Sequence, residues 1–347
     1  MNAATSPMRS RWVQFAQPKK DSTLKLLNKV LKLCNIFKLR TSSFKYYKTS
    51  IIEIMLKIFI TSVAAIFCFI RVMAQKDTIP DSKYYPARGN IQNVALILLG
   101  GSEGGLPNYY DTEKLTGLGY SCLVLGYFRT KGTPARLEMI PLEYFEKAMT
   151  DLKSRPELKN KKIVVWGGSK GGELALLLAS KFKEISGVIA SVPGSVVFQG
   201  LGGTPVSSWS ENGESIPFVP FAPFDYSKIV NNQYVEVYKL SLEQTEYVNK
   251  AEIKVENING PVLLLAGKAD SMWTSDYMSQ MVMKRLGSYN FPHWHKLFSY
   301  DNAGHTLNDS YMIGGTKEGN KNARIDSEKR TLDFLRMLSE INTSGQN

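Results

Sequence analysis

The stretch Lys161-Lys162-Ile163-Val164-Val165-Trp166-Gly167-Gly168-Ser169-Lys170-Gly171-Gly172-Glu173-Leu174-Ala175-Leu176-Leu177-Leu178-Ala179-Ser180 decides the fold of this chain. Ile163 to Trp166 is a short run rich in β-branched residues. Glycines follow, and Leu174, Leu177 and Leu178 then share one face of a 3.6-residue period, which reads as strand, turn, helix. Inside the turn, Gly167-Gly168-Ser169-Lys170-Gly171 fits G-x-S-x-G, the pattern of a nucleophile elbow. A residue at so sharp a corner is expected to be strained, with positive φ, and the residues two before and two after it must approach each other closely. Gly167 and Gly171 meet that need. The corner lifts the Ser169 hydroxyl clear of the sheet and sets the Lys170 N–H at the positive end of a helix, where it can donate to a developing oxyanion. The competing reading is a glycine-rich turn in some other doubly wound protein; the rest of the chain argues against it.

From Asn93 onward the sequence alternates strand and helix, as in a mostly parallel sheet with helices on both faces. Expected strands are Asn93 to Leu99, Tyr120 to Leu125, the elbow strand, Gly187 to Val192, Pro261 to Ala266 and His295 to Tyr300. Expected helices are Tyr109 to Thr116, Leu142 to Leu152, the elbow helix, Ser275 to Leu286 and Ile325 to Ile341. The rhythm fails between 194 and about 240, where Pro205, Pro217, Pro220 and Pro223 stand among Trp209, Phe218, Phe221 and Phe224. That segment reads as a cap inserted over the active site of an α/β-hydrolase, the fold class expected for residues 75–347.

A serine hydroxyl is a weak nucleophile at neutral pH and needs a base, itself oriented by a carboxylate. In this fold the order along the chain is Ser, acid, His, each after the carboxyl end of a strand. Asp270 follows Leu263-Leu264-Leu265-Ala266-Gly267-Lys268-Ala269, and His305 follows the next strand in Asp301-Asn302-Ala303-Gly304-His305. Asp276 is the second choice for the acid. The expected oxyanion donors are the N–H groups of Lys170 and of Ser102, the latter in Gly100-Gly101-Ser102 after the first expected strand. The side chains of Lys170 and Glu173 are read as solvated helix residues. The glycines at 100–105 lack G-x-G-x-x-G spacing, G-x-x-x-x-G-K-[ST] is absent, and Glu103 would repel phosphate, so a nucleotide site is not indicated. His293 and His295 share a strand face without a third ligand nearby; no metal and no cofactor is expected.

The formal charge of +12 suggests nucleic acid, but residues 1–74 hold 13 lysines and arginines against Asp21 and Glu53, and the rest is close to neutral. Nucleic acid is therefore not an expected partner. Met55-Leu56-Lys57, the uncharged run Ile58 to Ile70 and Arg71-Val72-Met73-Ala74-Gln75 read as a signal peptide (55–74) cleaved after Ala74. The apolar run is shorter than the ~20 residues that span a bilayer. Export to the periplasm or medium is expected; the alternative is a membrane anchor through the uncleaved N-terminal segment. Residues 1–54 contain a possible basic amphipathic helix (Leu24, Lys25, Leu27, Lys29, Leu31, Lys32) but read better as a leader upstream of a start at Met55. Cys34 and Cys68 precede the cleavage point, leaving Cys122 alone in a buried strand as a small hydrophobe.

With these residues in view, the chain resembles the carboxyl-terminal catalytic domain of the acyl-CoA thioesterase and bile acid-CoA:amino acid N-acyltransferase family. The resemblance runs from about Asn93 to His305. It is carried by Gly168-Ser169-Lys170-Gly171-Gly172-Glu173-Leu174-Ala175-Leu176, by the Trp209 to Pro220 region, and by Ile253 to Leu264 with Gly267-Lys268-Ala269-Asp270 and Trp273-Thr274-Ser275. It implies nucleophile, acid and base at Ser169, Asp270 and His305. Animal members carry an amino-terminal β-sandwich, whereas here only Gln75 to Gly89 stands ahead of the first expected strand. Members that acylate amino acids look like they use Cys as nucleophile, so Ser169 favours water as acceptor.

The expectation is thus an exported serine hydrolase that cleaves an ester or thioester of a hydrophobic carboxylic acid through an acyl-enzyme. A serine peptidase, amidase or acyltransferase of the same fold is the nearest alternative. A non-catalytic binding module, which predicts a broken triad, is the more distant one.

Overall fold

Val94–Leu99 (VALILL) and Val262–Gly267 (VLLLAG) are buried at every position, the pattern of parallel strands covered on both faces. In the computed structural model, which describes residues 81–229 and 234–340, both lie inside a seven-stranded sheet. Its strands are β1 (Asp81–Tyr85), β2 (Val94–Leu99), β3 (Ser121–Gly126), β5 (Lys162–Gly168), β6 (Ile185–Ser191), β9 (Val262–Gly267) and β10 (His295–Tyr300), in the order β1-β3-β2-β5-β6-β9-β10. Only β1 runs antiparallel to its neighbour. A small second sheet joins β4 (Ile140–Pro141), β7 (Trp209–Glu211) and β8 (Glu214–Ser215).

The helices are α1 (Thr112–Gly117), α2 (Leu142–Lys153), α3 (Lys170–Lys181), α4 (Val235–Leu242), α5 (Thr245–Ala251), α6 (Ser275–Ser288) and α7 (Lys317–Glu340). On one face of the sheet Ile97 and Val165 pack with Phe145 of α2, Leu174 of α3 and Val282 of α6. On the other, Leu96 and Val164 pack with Leu115 of α1 and with Phe334 and Leu338 of α7. Helices therefore cover both faces, and β5 to α3, the elbow, sits at the middle of the sheet.

Several boundaries differ from the sequence reading. The short stretch ahead of the first expected strand itself supplies β1, an edge strand paired to β3; being half exposed, it carries little hydrophobic signal. Helix α1 starts at Thr112, not Tyr109, because the Asp111 carboxylate accepts the Lys114 N–H at 2.9 Å and fixes the first turn. Helix α7 starts at Lys317, eight residues before Ile325, since its first turns present Asn320 and Ala323 to the interior instead of large apolar residues. The segment between β6 and β9 runs past 240 and adds α4 and α5; Phe198, Val219, Tyr238 and Ala251 from it form a separate small core with Trp273 and Met278. The leader at 1–54 and the signal segment at 55–74 lie outside the described residues. Among the described residues no helix is long and apolar enough to cross a membrane.

Candidate active site

Ser169 stands between β5 and α3 with φ +56, a left-handed conformation that a side chain strains by about 1–3 kcal/mol. The strain is held in place by close backbone approaches. A methyl group on Gly167 would lie 2.0 Å from the Gly171 carbonyl oxygen, and one on Gly171 would lie 2.2 Å from the Gly100 carbonyl oxygen. Both positions therefore admit only glycine. The Ser169 N–H donates to Ser191 O of β6 at 2.9 Å, while its carbonyl accepts the N–H groups of Gly172 and Glu173. The Lys170 N–H is among the first amides of α3, which have no acceptor in the helix ladder.

His305 Nε2 lies 2.8 Å from Ser169 Oγ, and His305 Nδ1 lies 2.9 Å from Asp270 Oδ2. A carboxylate oxygen accepts, so Nδ1 carries the proton and Nε2 is left to accept from the serine hydroxyl. Both His305 and Asp270 are buried. Asp270 is fixed by the Met272 and Trp273 N–H groups, which donate to Oδ1 at 2.8 and 3.2 Å. The Trp273 ring meets His305 edge-on at 5.8 Å, and its indole N–H donates to Val192 O at 3.0 Å. Asp276, the second choice for the acid, is engaged elsewhere: it accepts from Ser299 and Gln280.

In the loop after β2, Gly101 lies against Ser169, where a methyl group would sit 3.4 Å from Ser169 Cβ, and Ser102, one residue on, is exposed. The Gly101 N–H donates to Glu103 Oε1 at 2.9 Å. The structure corrects the reading of Lys170 and Glu173, which are not solvated: both are fully buried and paired, with Nζ 2.9 Å from each carboxylate oxygen. Cys122 is a buried free thiol, and burial pushes its pKa up to about 12. His295 Nδ1 faces the His293 carbonyl oxygen at 2.8 Å, and among the described residues no group of three His, Cys, Asp or Glu side chains is placed to hold a metal ion. A cavity of about 210 Å³ beside Leu177, Ser180, Ile216 and Ile253 contains none of the site residues.

A family model described as BAAT / Acyl-CoA thioester hydrolase C terminal matches residues 140–321, more than half of the chain. The chain belongs to this family. Among related members, acyl-coenzyme A thioesterase 2, mitochondrial, of Homo sapiens is 32% identical over 254 residues, covering 68% of this chain and 50% of that protein. Acyl-coenzyme A thioesterase 1 of Homo sapiens is likewise 32% identical over 254 residues, covering 68% of this chain and 58% of its own length. The chain thus spans about half the length of the curated relatives it matches. The acylaminoacyl peptidase of Pyrococcus horikoshii superposes with a TM-score of 0.50 at 17% identity over 77% of this chain and 41% of its own, a likeness of fold alone. The fold is that of the α/β-hydrolases.

In this member of the BAAT / acyl-CoA thioester hydrolase family, sequence reasoning missed the residues that hold the site from behind. Tyr127, buried after β3, lies with its hydroxyl 2.7 and 2.9 Å from the Gly100 and Gly101 carbonyl oxygens and so anchors the loop beside Ser169. Asn320 of α7 accepts the Gly304 N–H at 2.9 Å and donates to the Gly314 and Thr316 carbonyls, fixing the residue before His305. An asparagine near the start of an amphipathic helix is indistinguishable from a surface residue until its carbonyl partners are known. Tyr110 is a further case: its hydroxyl donates to Leu99 O at 2.7 Å at the end of β2.

Proposed function

We propose that this chain hydrolyses an ester or thioester of a hydrophobic carboxylic acid, with Ser169 as nucleophile, His305 as general base and acid, and Asp270 as the group that orients His305. The observation that carries the reading is the unbroken contact Ser169 Oγ to His305 Nε2 at 2.8 Å and His305 Nδ1 to Asp270 Oδ2 at 2.9 Å. In the first step His305 Nε2 takes the Ser169 proton as Oγ attacks the acyl carbonyl, and the imidazolium that forms is stabilised by Asp270. The oxyanion is bound by the Lys170 N–H at the start of α3 and by the Gly101 N–H, which exchanges Glu103 for the substrate oxygen; each such donor is worth about 10²–10³ in rate. Collapse of the tetrahedral intermediate breaks the bond to the leaving thiol or alcohol, which takes the proton from His305 and leaves the acyl group on Ser169 Oγ. His305 then deprotonates water for the second attack, the acid departs, and the serine regains its proton.

The likeness to acyl-coenzyme A thioesterases 1 and 2 makes an acyl thioester the first substrate class to test. The apolar run at 58–70 supports export as the place of action. The test is hydrolysis of p-nitrophenyl esters and acyl thioesters of increasing chain length by the wild-type protein and by Ser169→Ala. Wild-type turnover and a loss of at least about 10³ in the variant are expected. Equal turnover by the two proteins would remove Ser169 from the mechanism.

A further inference from the structure

Helix α3 buries two charges where its neighbours are apolar. Both Lys170 and Glu173 have side chains almost wholly withdrawn from solvent, and Lys170 Nζ donates to both carboxylate oxygens at 2.9 Å. The pair does not stand alone. The indole N–H of Trp209 donates to Glu173 Oε1 at 2.8 Å, and the backbone of Phe198 donates to the same carboxylate. The ammonium lies 5.7 Å from the Trp209 ring centre and 5.9 Å from that of Phe198. Lys170 and Glu173 belong to the first turn of α3. Phe198 and Trp209 belong to the segment inserted between β6 and β9, and both are fully buried. One carboxylate therefore joins the insertion to the helix that begins directly after Ser169.

Stability alone does not account for such a pair. Replacing a buried ion pair with apolar residues of similar volume is commonly neutral or stabilising, because both charges must be stripped of water. What the pair supplies is direction. A carboxylate with several fixed donors admits one arrangement, and that arrangement sets the Cα of Lys170, the residue whose main-chain N–H is the oxyanion donor of the reading above. Cation and indole on one carboxylate also make the seat of the insertion depend on the same contact.

On that reading of the site, we propose that Lys170, Glu173 and Trp209 are positioning residues, a buried link through which the seated insertion holds the Lys170 N–H aimed at the oxyanion. The side chains act through the backbone and touch no substrate. The link thus serves the transition state rather than substrate binding, and its loss lowers kcat while leaving KM near its wild-type value.

The test uses the full chain with two variants, Trp209→Phe, which keeps a ring and removes the donor, and Lys170→Met/Glu173→Met, which keeps volume and removes both charges. Thermal melts, kcat and KM for a p-nitrophenyl ester, and inhibition by an alkyl trifluoromethyl ketone and the matching methyl ketone are measured on each. The trifluoromethyl ketone adds Ser169 Oγ to its carbonyl and places an oxyanion on the Lys170 N–H, with the serine proton passing to His305; the methyl ketone reports ground-state binding only. The expected result is a double variant that melts no lower than wild type, with kcat reduced at least about tenfold and trifluoromethyl ketone affinity reduced in parallel. Methyl ketone affinity and KM should stay within about twofold. Trp209→Phe should show the same pattern at smaller amplitude. Wild-type kcat in a folded double variant, equal loss of affinity for both ketones, or loss of fold in both variants would each overturn the proposal. A wild-type protein that neither turns over the ester nor binds the trifluoromethyl ketone would instead overturn the reading of the site on which it rests.

Discussion

At the scale of single residues the site is a sequence of constraints passed from one side chain to the next. Two backbone amides fix Asp270, Asp270 fixes the tautomer of His305, and His305 Nε2 is left as an acceptor for Ser169. Asp270→Asn keeps the shape but offers an N–H where a carboxylate oxygen stood, so His305 is turned to the wrong tautomer. It is expected to lower kcat by about 10⁴ with KM little changed, measured as steady-state ester hydrolysis. A smaller effect than about tenfold would mean that another carboxylate orients the histidine. The meeting of Ser169, Asp270 and His305 was legible in the sequence because each follows a strand end in the order the fold requires. Which residue of the β2 loop lies beside Ser169 was less legible: sequence locates a loop after a strand, but the approach depends on backbone direction, and it is made by Gly101, with Ser102 one residue on and exposed. Lys170 and Glu173 were misread for a different reason. Charged residues in the first turn of a helix are usually solvated, and nothing local announces that an insertion some 30 residues onward will cover them with Phe198 and Trp209.

At the scale of elements, β5, the elbow and α3 form one mechanical unit. Gly171→Ala would drive a methyl group into the Gly100 carbonyl, displacing the very loop that carries Gly101. A loss of about 1–3 kcal/mol in unfolding free energy is expected, with a fall in activity at temperatures where the variant is still folded. Chemical denaturation and kinetics together check both; full activity in a folded variant would show that the approach of α3 to the β2 loop is not needed. The charges of α3 follow their burial. Desolvation raises the Glu173 carboxyl and lowers the Lys170 ammonium. A raised carboxyl adds stability that is full below its unfolded pKa of about 4.3 and lost as pH rises through its folded value. A lowered ammonium adds stability above its unfolded pKa of about 10.4 and loses it as pH falls through its folded value. Most strands and helices were legible because the buried parallel strands are unbroken apolar runs; β1 and the start of α7 were not, because one is a half-exposed edge and the other turns Asn320 and Ala323 inward. The helices α4 and α5 of the insertion escaped notice because neither shows a sustained apolar stripe.

At the scale of the whole molecule, charge and chemistry are separated along the chain. The surplus of lysine and arginine lies in residues 1–74, and the rest of the chain is close to neutral. If the run at 58–70 directs export, the protein recovered outside the producing cell should begin at Gln75, as read by amino-terminal sequencing; a retained upstream segment would indicate a membrane anchor instead. The chain belongs to the BAAT / acyl-CoA thioester hydrolase family, has the α/β-hydrolase architecture and spans about half the length of its curated relatives. Activation of Ser169 as a nucleophile by His305 is tested by intact-mass analysis of the purified protein after exposure to a fluorophosphonate. A single phosphonyl adduct on Ser169 is expected, absent in Ser169→Ala and formed far more slowly in His305→Ala. An unmodified wild-type protein, or an adduct that survives the loss of Ser169, would contradict it.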